Sequence, residues 1–557
     1  MRYRRTGQIL FVITLGIGCT AWGQGGNGRG ARGAAAQQPG VPANAPANTP
    51  GRGGRAGADG TGAATAAEFY NYDTTAGSAP AIPDAQPTET HQKINVNGEP
   101  LAYTARVGYM PLRNATTGQS EAHLFYTCYS KDGVTDGSTR PILFFVGGAP
   151  GVSASWQEFG GLGPKRMKWT NDGTAGPPPY GWVDNPNTLL GEADLVFVNP
   201  VGTAFSRPDQ PGRGPNFWNT GADIASLAEF VRSFVNTYDR RNSPLFLAGE
   251  DFGTGRVAGL AGYLNEHQIP VHGVVLLSMT MSADAAAGDA QYITLLPSLI
   301  MAAWHHKKLA PELTAMSAEQ ISGQARQFAS REYLHALYKG DRMSADERTK
   351  VIANLSRMTG LSKAFIVNND LRITLDRFNT ELLHEQHRSL SRSDARVTGF
   401  SPPAVGGGGR GAFGVVPIPI DFNLSNLAGG FETAYEGYLR RELTFTGNSS
   451  GVFYLSSGGV GAFTSSGSDD ASLSNAFARD PNLRLFVAVN YFDLNSLFYA
   501  TEFTLAHLNI SPEIRAHNIT ISHFESGLMT YADNKALVKL HSDLARFIGG
   551  AASPVRK

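Results

Sequence analysis

An aspartate stands at the centre of a glycine-bounded turn, directly after an apolar run in LFLAGEDFGTG (245–255). Five residues form the turn: Gly249, Glu250, Asp251, Phe252 and Gly253. A carboxylate has a reference pKa of ~3.9 and is ionised at neutral pH, so Asp251 could attack an alkyl carbon without help from a base. Hydrolysis of the resulting ester then requires an activated water, and therefore a second titratable group beside the turn.

A second glycine-rich segment lies upstream. FFVGGAPG (144–151) contains Val146, Gly147, Gly148 and Gly151 directly after another apolar run. Glycines let backbone amides approach a reacting group closely, so this loop is a candidate oxyanion and substrate-binding loop.

Two further segments follow late in the chain. NYFDLNS (490–496) contains Asp493, and HFESGLMTY (523–531) contains Leu528. A glycine loop, a strand-to-helix turn, an acidic residue and a last loop occur in this order in α/β-hydrolases. There they supply the oxyanion amides, the nucleophile, the acid and the histidine.

The surrounding pattern predicts the elements that would position these groups. Alternating residues predict antiparallel edge strands over 94–112 and 122–130, with the lone internal cysteine, Cys128, buried in the second. Four nearly continuous apolar runs predict strands covered on both faces: 142–146, 194–198, 245–248 and 273–278. Between the second and third runs, apolar residues recur at helical spacing and predict an amphipathic helix: Ile224, Leu227, Ala228, Val231 and Val235. This rhythm predicts an α/β fold with a mainly parallel central sheet.

Helical patterning replaces this rhythm after residue 280, and strand signals return at 483–489 and 518–524 before a closing helix. A helical cap therefore interrupts the α/β-hydrolase core. The predicted boundaries are 88–282 for the first part of the core, 283–430 for the cap and 431–557 for the second part.

The N-terminus predicts export. Arg2, Arg4 and Arg5 precede the apolar run ILFVITLGIGCTAW, and AWG offers a small-residue cleavage site, so 1–23 is a predicted signal peptide. The run is shorter than the ~20 residues of a spanning helix, which favours a cleaved signal over a membrane anchor, so no membrane span is expected after cleavage. Lipidation of Cys19 is disfavoured because a glycine stands where a larger aliphatic residue is expected. We expect a periplasmic or secreted protein.

The amino-acid composition limits the remaining classes of function. Residues 24–87 are mostly Gly, Ala, Pro, Asn and Gln, which predicts a disordered tether. Lys+Arg and Asp+Glu both number 47, so no basic surface for nucleic acid is expected. A hydrophobic content of 41% permits a large core, which a secreted chain with one internal cysteine needs in place of disulfides. No cofactor is predicted.

The motifs resemble those of the serine carboxypeptidase family, in its bacterial branch, over residues 90–550. The family's FNGGPGSSSVW…GPKRV is similar to FVGGAPGVSASWQEFGGLGPKRM (145–167), and LVFIDPVGTGYSR is similar to LVFVNPVGTAFSR (195–207). Three further blocks continue the likeness: 217–231, 242–250 and 491–508.

The resemblance implies altered chemistry when it is carried over residue by residue. The nucleophilic serine of the family's GESYG falls on Asp251, and the histidine of AGHM falls on Leu528. The asparagine that holds a substrate's C-terminal carboxylate falls on Val146. Glu250 and the acid Asp493 are retained.

The glycine loop also departs from the family pattern. It carries one extra residue, Ala149, which changes where the Gly148 and Gly151 amides are expected.

These departures predict a loss of peptidase activity. A serine nucleophile depends on a histidine that takes its proton and then protonates the leaving amine, and Leu528 can do neither. We therefore predict a serine carboxypeptidase-like pseudoenzyme that binds a peptide or a small molecule under the cap, or a partner protein through its surface. A structural or cell-surface scaffold, built around the tether and the glycine loop at 405–414, is a third class.

An active hydrolase is the alternative. Haloalkane dehalogenases and epoxide hydrolases carry GHDWG, which is similar to GEDFG here, but they need a base for the second step. His523 lies five residues before Leu528 and shares strand parity with Ile519 and Ile521, which favours a packed histidine. His305 or His306 from the cap could supply the base, although adjacent helical residues point in different directions.

Metal binding is another use for carboxylates at this turn. Asp251, Glu250 and Asp493 could attract a hard cation such as Ca²⁺. A protonated pair, or pairing with Arg256 in the following helix, is the competing expectation, and no resident metal is predicted.

Overall fold

The computed structural model describes residues 82, 84–148, 151–170, 174–210, 212–280, 282, 284–400, 421–447, 463–464 and 469–552. These residues belong to one structural unit, Ala66–Lys557. The predicted signal peptide, Cys19, the glycine loop at 405–414 and Ala149 lie outside the described residues. Of the predicted tether, only residues 82 and 84–87 are described.

Strands appear where the apolar runs predicted them. Fourteen are found in the described residues: β1 (Thr88–Val96), β2 (Glu99–Arg113), β3 (Ser120–Lys131), β4 (Ile142–Val146), β5 (Lys165–Met167), β6 (Trp182–Asp184), β7 (Asp194–Val198), β8 (Arg207–Pro208), β9 (Leu245–Glu250), β10 (Gly273–Leu277), β11 (Arg388–Leu390), β12 (Thr398–Phe400), β13 (Arg484–Asn490) and β14 (Ile519–Phe524).

A ten-stranded sheet runs in the order β1-β2-β3-β7-β4-β9-β10-β13-β14, with β8 paired to β3. β1, β2 and β3 are antiparallel, and β3 joins β7 antiparallel. All later neighbours are parallel, from β7 through β14. The predicted antiparallel edge and mainly parallel centre are confirmed, and Cys128 is buried in β3 as expected.

The helices alternate with the strands and then dominate the middle of the chain. They are α1 (Ser155–Gln157), α2 (Thr220–Thr237), α3 (Gly253–Glu266), α4 (Ala290–His305), α5 (Pro311–Thr314), α6 (Ala318–Phe328), α7 (Leu334–Lys339), α8 (Ala345–Thr359), α9 (Lys363–Asn368), α10 (Leu375–Glu381), α11 (Phe422–Arg441), α12 (Asp469–Arg479), α13 (Phe498–Ala506), α14 (Pro512–Asn518) and α15 (Asn534–Ala552).

Both faces of the parallel strands are covered, which explains their continuous apolar runs. Phe144 and Leu247 face one side and pack in the cluster that contains α2, α3 and α4. Phe145 and Phe197 face the other side, in the cluster that contains α11 and α15. Successive side chains of a strand point to opposite faces, so a strand buried on both sides must be apolar at every position.

The helical insertion lies between β10 and β13. α11 runs through residue 430, the predicted end of the cap. Asp421 starts this helix by accepting a hydrogen bond from the Leu424 N–H at 3.1 Å. Phe431 stacks on Trp156, with ring centroids 4.2 Å apart, so packing against the core continues the helix past the predicted boundary.

In the part of the chain that the structure describes, no helix combines the length and apolar character needed to cross a bilayer.

Candidate active site at the strand-to-helix turn

The turn at 249–253 joins β9 to α3 and holds Asp251 in the left-handed backbone region, at φ 51°. Residues with a side chain rarely adopt this region. A Cβ at Gly249 would lie 2.2 Å from the Gly253 carbonyl oxygen, and a Cβ at Gly253 would lie 3.0 Å from the Gly147 carbonyl oxygen. The glycines are therefore required by close backbone contacts. Strain of this kind costs about 1–3 kcal/mol and is concentrated at functional sites.

The Asp251 side chain uses an amide that hydrolases use for catalysis. The half-buried carboxyl of Asp251 has a raised pKa because burial outweighs a hydrogen bond from the Phe252 N–H. In α/β-hydrolases the amide after the nucleophile forms half of the oxyanion hole. Here the Asp251 carboxylate competes with any developing oxyanion for that donor.

Arg256 on α3 holds the glycine loop. Its Nη1 donates to the carbonyl oxygens of Gly147 and Gly148, at 2.5 Å each. Its Nε donates to the Asp223 carboxylate at 2.5 Å, and both side chains are buried. The expected pairing of Arg256 with a carboxyl of the elbow is therefore wrong, because the guanidinium pairs with Asp223 on α2.

The rest of the glycine loop carries no group that could hold a carboxylate through its side chain. Val146 ends β4, is buried, and lies in register with Val198 and Gly249. Gly151 has φ 87°, which favours glycine. Ala149, the extra residue between them, is outside the described residues.

Asp493 lies in the loop after β13 and is fully buried. Its Oδ1 accepts from the N–H groups of Asn495 at 2.9 Å and Ser496 at 3.1 Å. Its Oδ2 is buried and makes no hydrogen bond of ordinary geometry, although the Ser278 hydroxyl interacts with the carboxyl and acts to lower its pKa. Burial raises the pKa of Asp493 well above its usual range, and the nearby Asp251 carboxyl raises it further.

Leu528 lies in the loop after β14, the last strand. Its N–H donates to the Ser393 carbonyl oxygen at 2.7 Å, and its carbonyl oxygen accepts from the Ser278 hydroxyl at 3.0 Å. A Cβ at Gly527 would lie 2.4 Å from the Ser393 carbonyl oxygen. The helical insertion therefore contacts this loop directly, a contact that the sequence analysis missed.

Glu250 is held by two hydrogen-bond donors from other segments. Its Oε2 accepts from Gln157 Nε2 at 2.5 Å and from the Tyr531 hydroxyl at 2.9 Å. Burial raises the pKa of Glu250 to about 8, and the charge of Asp251 contributes. Among the residues that the structure describes, no three His, Cys, Asp or Glu side chains converge as metal ligands. The considered Ca²⁺ cluster of Asp251, Glu250 and Asp493 therefore lacks the required geometry.

His523 at the end of β14 belongs to a separate ion-pair group. Its Nε2 lies 2.6 Å from Glu502 Oε1 and 3.0 Å from Arg326 Nη2, and its ring stacks on Tyr491. The expected packing on the face shared with Ile521 is only partial, because β14 is an edge strand and Ile521 is 37% exposed.

The two cap histidines are also engaged elsewhere. His306 donates to the Ala395 carbonyl oxygen at 2.7 Å, and His305 lies edge-on to Phe492, with ring centroids 5.3 Å apart. All 13 histidines of the chain fall within the described residues. None of their ring nitrogens lies within 4.0 Å of the Asp251 carboxylate. The structure therefore brings no imidazole to the elbow.

Asp469, at the start of α12, is the site residue that the sequence analysis missed. Its Oδ2 accepts from the Thr254 hydroxyl at 2.9 Å and from the Thr280 hydroxyl. A Cβ at Gly255 would lie 2.1 Å from its Oδ1. Burial raises the pKa of Asp469 to about 6, with a contribution from Asp251. The second glycine of GTG, which leaves room for this carboxylate, was the available signal.

Comparisons with known proteins agree with this architecture. A model of the family described as serine carboxypeptidase matches residues 96–382, which include the glycine loop and the elbow but end before Asp493 and Leu528. Serine carboxypeptidase-like 50 of Arabidopsis thaliana is 27% identical over 269 residues, covering 47% of this chain and 54% of that protein. A carboxypeptidase Y homolog of Arthroderma benhamiae is 25% identical over 190 residues, 33% of this chain and 35% of the relative.

The chain thus spans about half, or less, of the length of these curated relatives. The crystal structure of Kex1, a prohormone-processing carboxypeptidase from Saccharomyces cerevisiae, superimposes with a TM-score of 0.51 at 13% identity. This superposition covers 80% of this chain and 91% of the other, and it supports the α/β-hydrolase fold. Since the family model matches more than half of its residues, the chain belongs to the serine carboxypeptidase family.

Proposed function

We propose that this chain is an exported member of the family that has lost peptidase activity and binds a ligand at the remodelled elbow. One observation carries the proposal: Leu528 occupies the loop after the last strand, and no histidine of the chain lies within 4.0 Å of Asp251. Peptide hydrolysis requires a group that accepts the nucleophile's proton and then delivers it to the leaving amine.

The retained acid supports the same conclusion. In a working triad the acid accepts a hydrogen bond from the histidine Nδ1–H. Asp493 is fully buried, and no histidine nitrogen lies within 4.0 Å of its carboxylate. A buried acid without an imidazole partner is what loss of the family histidine would leave.

The remaining surfaces suit binding. Asp251 and Phe252 are half-buried, whereas Glu250 and Gly253 on either side are buried, so the turn presents its central residues outward. A peptide or a small molecule under the helical insertion, or a partner protein at the surface, is the expected ligand. The proposal of export is based on the N-terminal arginines and the apolar run that follows them. Detection of the mature chain in a periplasmic or culture fraction tests it.

The test is an activity screen on the purified mature chain, with N-acylated dipeptides and p-nitrophenyl acetate as substrates. We expect the natural chain to be silent and the double variant Asp251→Ser, Leu528→His to gain weak esterase activity. Asp251→Ser, Leu528→Gln is the matched control, because glutamine adds a polar side chain that cannot act as a base. Turnover of dipeptides by the natural chain would refute the proposal.

A second candidate, an Asp-nucleophile hydrolase, is favoured by one observation. The elbow keeps its strained φ at Asp251, and Asp469, with a pKa of about 6, contacts the adjacent Thr254. A carboxylate that titrates near 6 suits a general base for the second step. In the first step an Asp251 oxygen would attack C1 of 1-bromohexane and bromide would leave. Intact mass spectrometry after incubation distinguishes the candidates: a hexyl ester at Asp251, or released hexanol, supports the hydrolase.

A further inference from the structure

A cleft of about 1280 Å³ follows the last strand of the sheet. β14 stands at the end of the strand order and pairs only with β13, so its other edge is open within the described residues. Four consecutive residues of this strand, 521–524, line the cleft. Asp251, Asp493 and Leu528 are not among its lining residues, which makes the cleft a site separate from the elbow.

Walls from both faces of the sheet enclose this edge. Leu427 on α11 and Met529 after β14 line the cleft and belong to the cluster that covers one face. Glu319 lines it from α6, a helix of the insertion whose buried side chains pack in the cluster on the opposite face. The open edge is therefore recessed between two walls, and in a second copy it would be recessed in the same way, so two such edges cannot meet directly.

Hydrogen bonds at the end of β14 show how its backbone is oriented. The Phe524 carbonyl oxygen accepts from the Tyr491 N–H at 3.0 Å, on the β13 side. The next carbonyl oxygen, that of Glu525, accepts from Arg396 Nη1 at 2.8 Å, on the side of the insertion. Successive backbone groups therefore alternate between β13 and the cleft.

This alternation leaves two residues of β14 with open backbone groups. In a parallel pair only every second residue directs its N–H and C=O to the partner strand, so those of Ile521 and His523 face away from β13. Within the part of the chain that the structure describes, none of these four groups has a hydrogen-bond partner. The edge thus presents donors and acceptors two residues apart, in the arrangement that a further strand would pair with.

We propose that the cleft binds an extended peptide segment of a partner protein, which adds to β14 as a further strand. This site goes beyond the proposed function and does not depend on the chemistry of the elbow. In strand addition, main-chain hydrogen bonds supply the affinity and pockets for alternate side chains supply the specificity. The volume of about 1280 Å³ exceeds the ~300–1,000 Å³ of typical small-molecule pockets, which also favours a peptide.

The charges of the cleft indicate which peptide fits. Three exposed side chains that line it have no ion pair within the described residues: Glu319, Glu525 and Lys535. The other charged residues of the cleft are engaged in ion pairs, among them Arg396 with two aspartates. The open charges are therefore acidic in excess, and basic residues in the peptide would balance them.

The two walls also differ in polarity. Leu427 and Met529 are apolar, whereas Glu319 opposite them is charged. Successive side chains of an extended chain point to opposite faces. A peptide that alternates apolar and basic residues therefore directs its apolar side chains to one wall and its basic side chains to the other.

The test is fluorescence anisotropy of the fluorescein-labelled hexapeptide Lys-Val-Lys-Val-Lys-Val amide with the purified mature chain. We expect this peptide to bind. The same peptide methylated at every backbone nitrogen should bind at least about 10-fold more weakly, because it cannot donate to the strand edge. The Glu-Val-Glu-Val-Glu-Val analogue should also bind more weakly, because the open acids repel it.

Ile521→Pro removes one outward N–H from the edge. Proline is tolerated on edge strands where the N–H faces away from the neighbouring strand, so the pairing with β13 should persist. We expect the affinity for the Lys-Val peptide to fall by about 10-fold or more. Ile521→Val, which keeps the N–H and a similar side chain, is the matched control and should bind as the natural chain does.

A charge reversal provides a second variant if Ile521→Pro does not fold, as judged by its thermal unfolding. Glu319→Lys should weaken binding of the Lys-Val peptide, because it replaces an open acid of the cleft with a base. Glu385→Lys reverses the charge of an exposed residue that does not line the cleft, and it should leave the affinity unchanged.

Hydrogen–deuterium exchange resolved by residue separates strand addition from other modes of binding. The amides of Ile521 and His523 should exchange more slowly when the Lys-Val peptide is bound, because each then donates to the added strand. The amides of Ser522 and Phe524 already face β13 and should change little. Protection at alternate residues is specific to an added strand.

Absence of peptide binding at millimolar concentrations overturns the inference. Equal binding of the methylated peptide, tighter binding of the Glu-Val peptide, or binding without protection of Ile521 and His523 does the same. Sedimentation equilibrium of the chain alone tests the competing occupant. A dimer that is lost in Ile521→Pro but kept in Ile521→Val would assign the edge to a second copy of this chain and would also overturn the inference.

Discussion

The N–H of Leu528 donates to the Ser393 carbonyl oxygen at 2.7 Å, which bonds the loop after the last strand to the helical insertion. Asp421 fixes Ser393 in turn, because it accepts from the Ser393 N–H and from the Ser393 hydroxyl, each at 2.8 Å. The backbone of the segment that carries Leu528 is therefore held by residues of the helical insertion.

Removal of the Asp421 carboxylate should loosen this contact. We expect Asp421→Ala to lower the free energy of unfolding by about 1–2 kcal/mol, because it removes several acceptor contacts and the N-cap of α11. Amide exchange at Leu528 should accelerate more than exchange in the central strands. Hydrogen–deuterium exchange resolved by residue measures both.

The control for this prediction is a helix N-cap residue in another part of the insertion. Ser317 caps α6 by accepting from the Gln320 N–H at 3.3 Å. Ser317→Ala should cost a similar free energy of unfolding while leaving Leu528 exchange in line with the rest of the chain. Equal acceleration at Leu528 in both variants would mean that Asp421 does not hold the loop.

The elbow residue itself should limit stability. Asp251 combines a positive φ of 51° with repulsion from neighbouring carboxyls. We expect Asp251→Gly to raise the free energy of unfolding by about 1 kcal/mol or more at pH 8, because glycine adopts this conformation without strain. Urea denaturation measures the change.

Asp239 offers a matched control, since it is exposed and has φ 52°. Asp239→Gly relieves backbone strain in the same way, but it leaves all the carboxylates at the elbow in place. The excess stabilisation of Asp251→Gly over Asp239→Gly reports the electrostatic part. A destabilised Asp251→Gly would show that the carboxylate makes stabilising contacts that outweigh its strain.

The features of the fold that could be predicted are those determined by residues close together in the sequence. Continuous apolar runs gave the parallel strands, because a strand covered on both faces has no position for a polar side chain. The glycines at 249 and 253 predicted the tight turn, since only glycine permits those backbone contacts. The family resemblance added the positions of Asp251, Asp493 and Leu528.

The missed parts depend on contacts between distant segments. Thr254 and Asp469 are 215 positions apart, and no periodicity indicates that the start of α12 lies on the first turn of α3. Arg256 was expected to pair with a carboxyl of the turn because it lies in the following helix, but its actual partner, Asp223, depends on the position of α2. The extent of α11 across residue 430 likewise depends on a distant contact, because Phe431 stacks on Trp156.

Gly255 and Asp469 should be coupled energetically. A Cβ at Gly255 would lie 2.1 Å from Asp469 Oδ1, so Gly255→Ala should lower the free energy of unfolding by about 2 kcal/mol. Asp469→Ala removes the obstructing carboxylate. We expect the double variant to be more stable than the sum of the single changes predicts, by at least about 1 kcal/mol in a double-mutant cycle.

Gly323→Ala provides the control for helix propensity. Gly323 lies on the exposed face of α6, and a Cβ there would meet nothing within 4 Å. This change should stabilise the chain by about 0.5–1 kcal/mol. Strict additivity of Gly255→Ala and Asp469→Ala would mean that the two residues do not constrain each other.

Glu158, buried beneath α11, should make stability fall as pH rises. Its two carboxylate oxygens accept from the hydroxyls of Tyr129 at 2.5 Å and Tyr435 at 2.7 Å. Burial nevertheless raises its pKa from 4.5 to about 7. The unfolded chain then binds fewer protons than the folded chain between those pH values, so the free energy of unfolding decreases across that window.

The decrease due to Glu158 should be at most on the order of 3 kcal/mol and should level off above pH 7, where the folded carboxyl is also ionised. Glu250, whose pKa is raised to about 8, extends the decline. Glu158→Gln should flatten the part of the profile between pH 5 and pH 7, as measured by urea denaturation at several pH values. Glu385→Gln, at an exposed position, should leave the profile unchanged. A natural chain that becomes more stable from pH 5 to pH 7, with no change in slope on Glu158→Gln, would show that the buried carboxyl is ionised at low pH and is stabilised by its tyrosines.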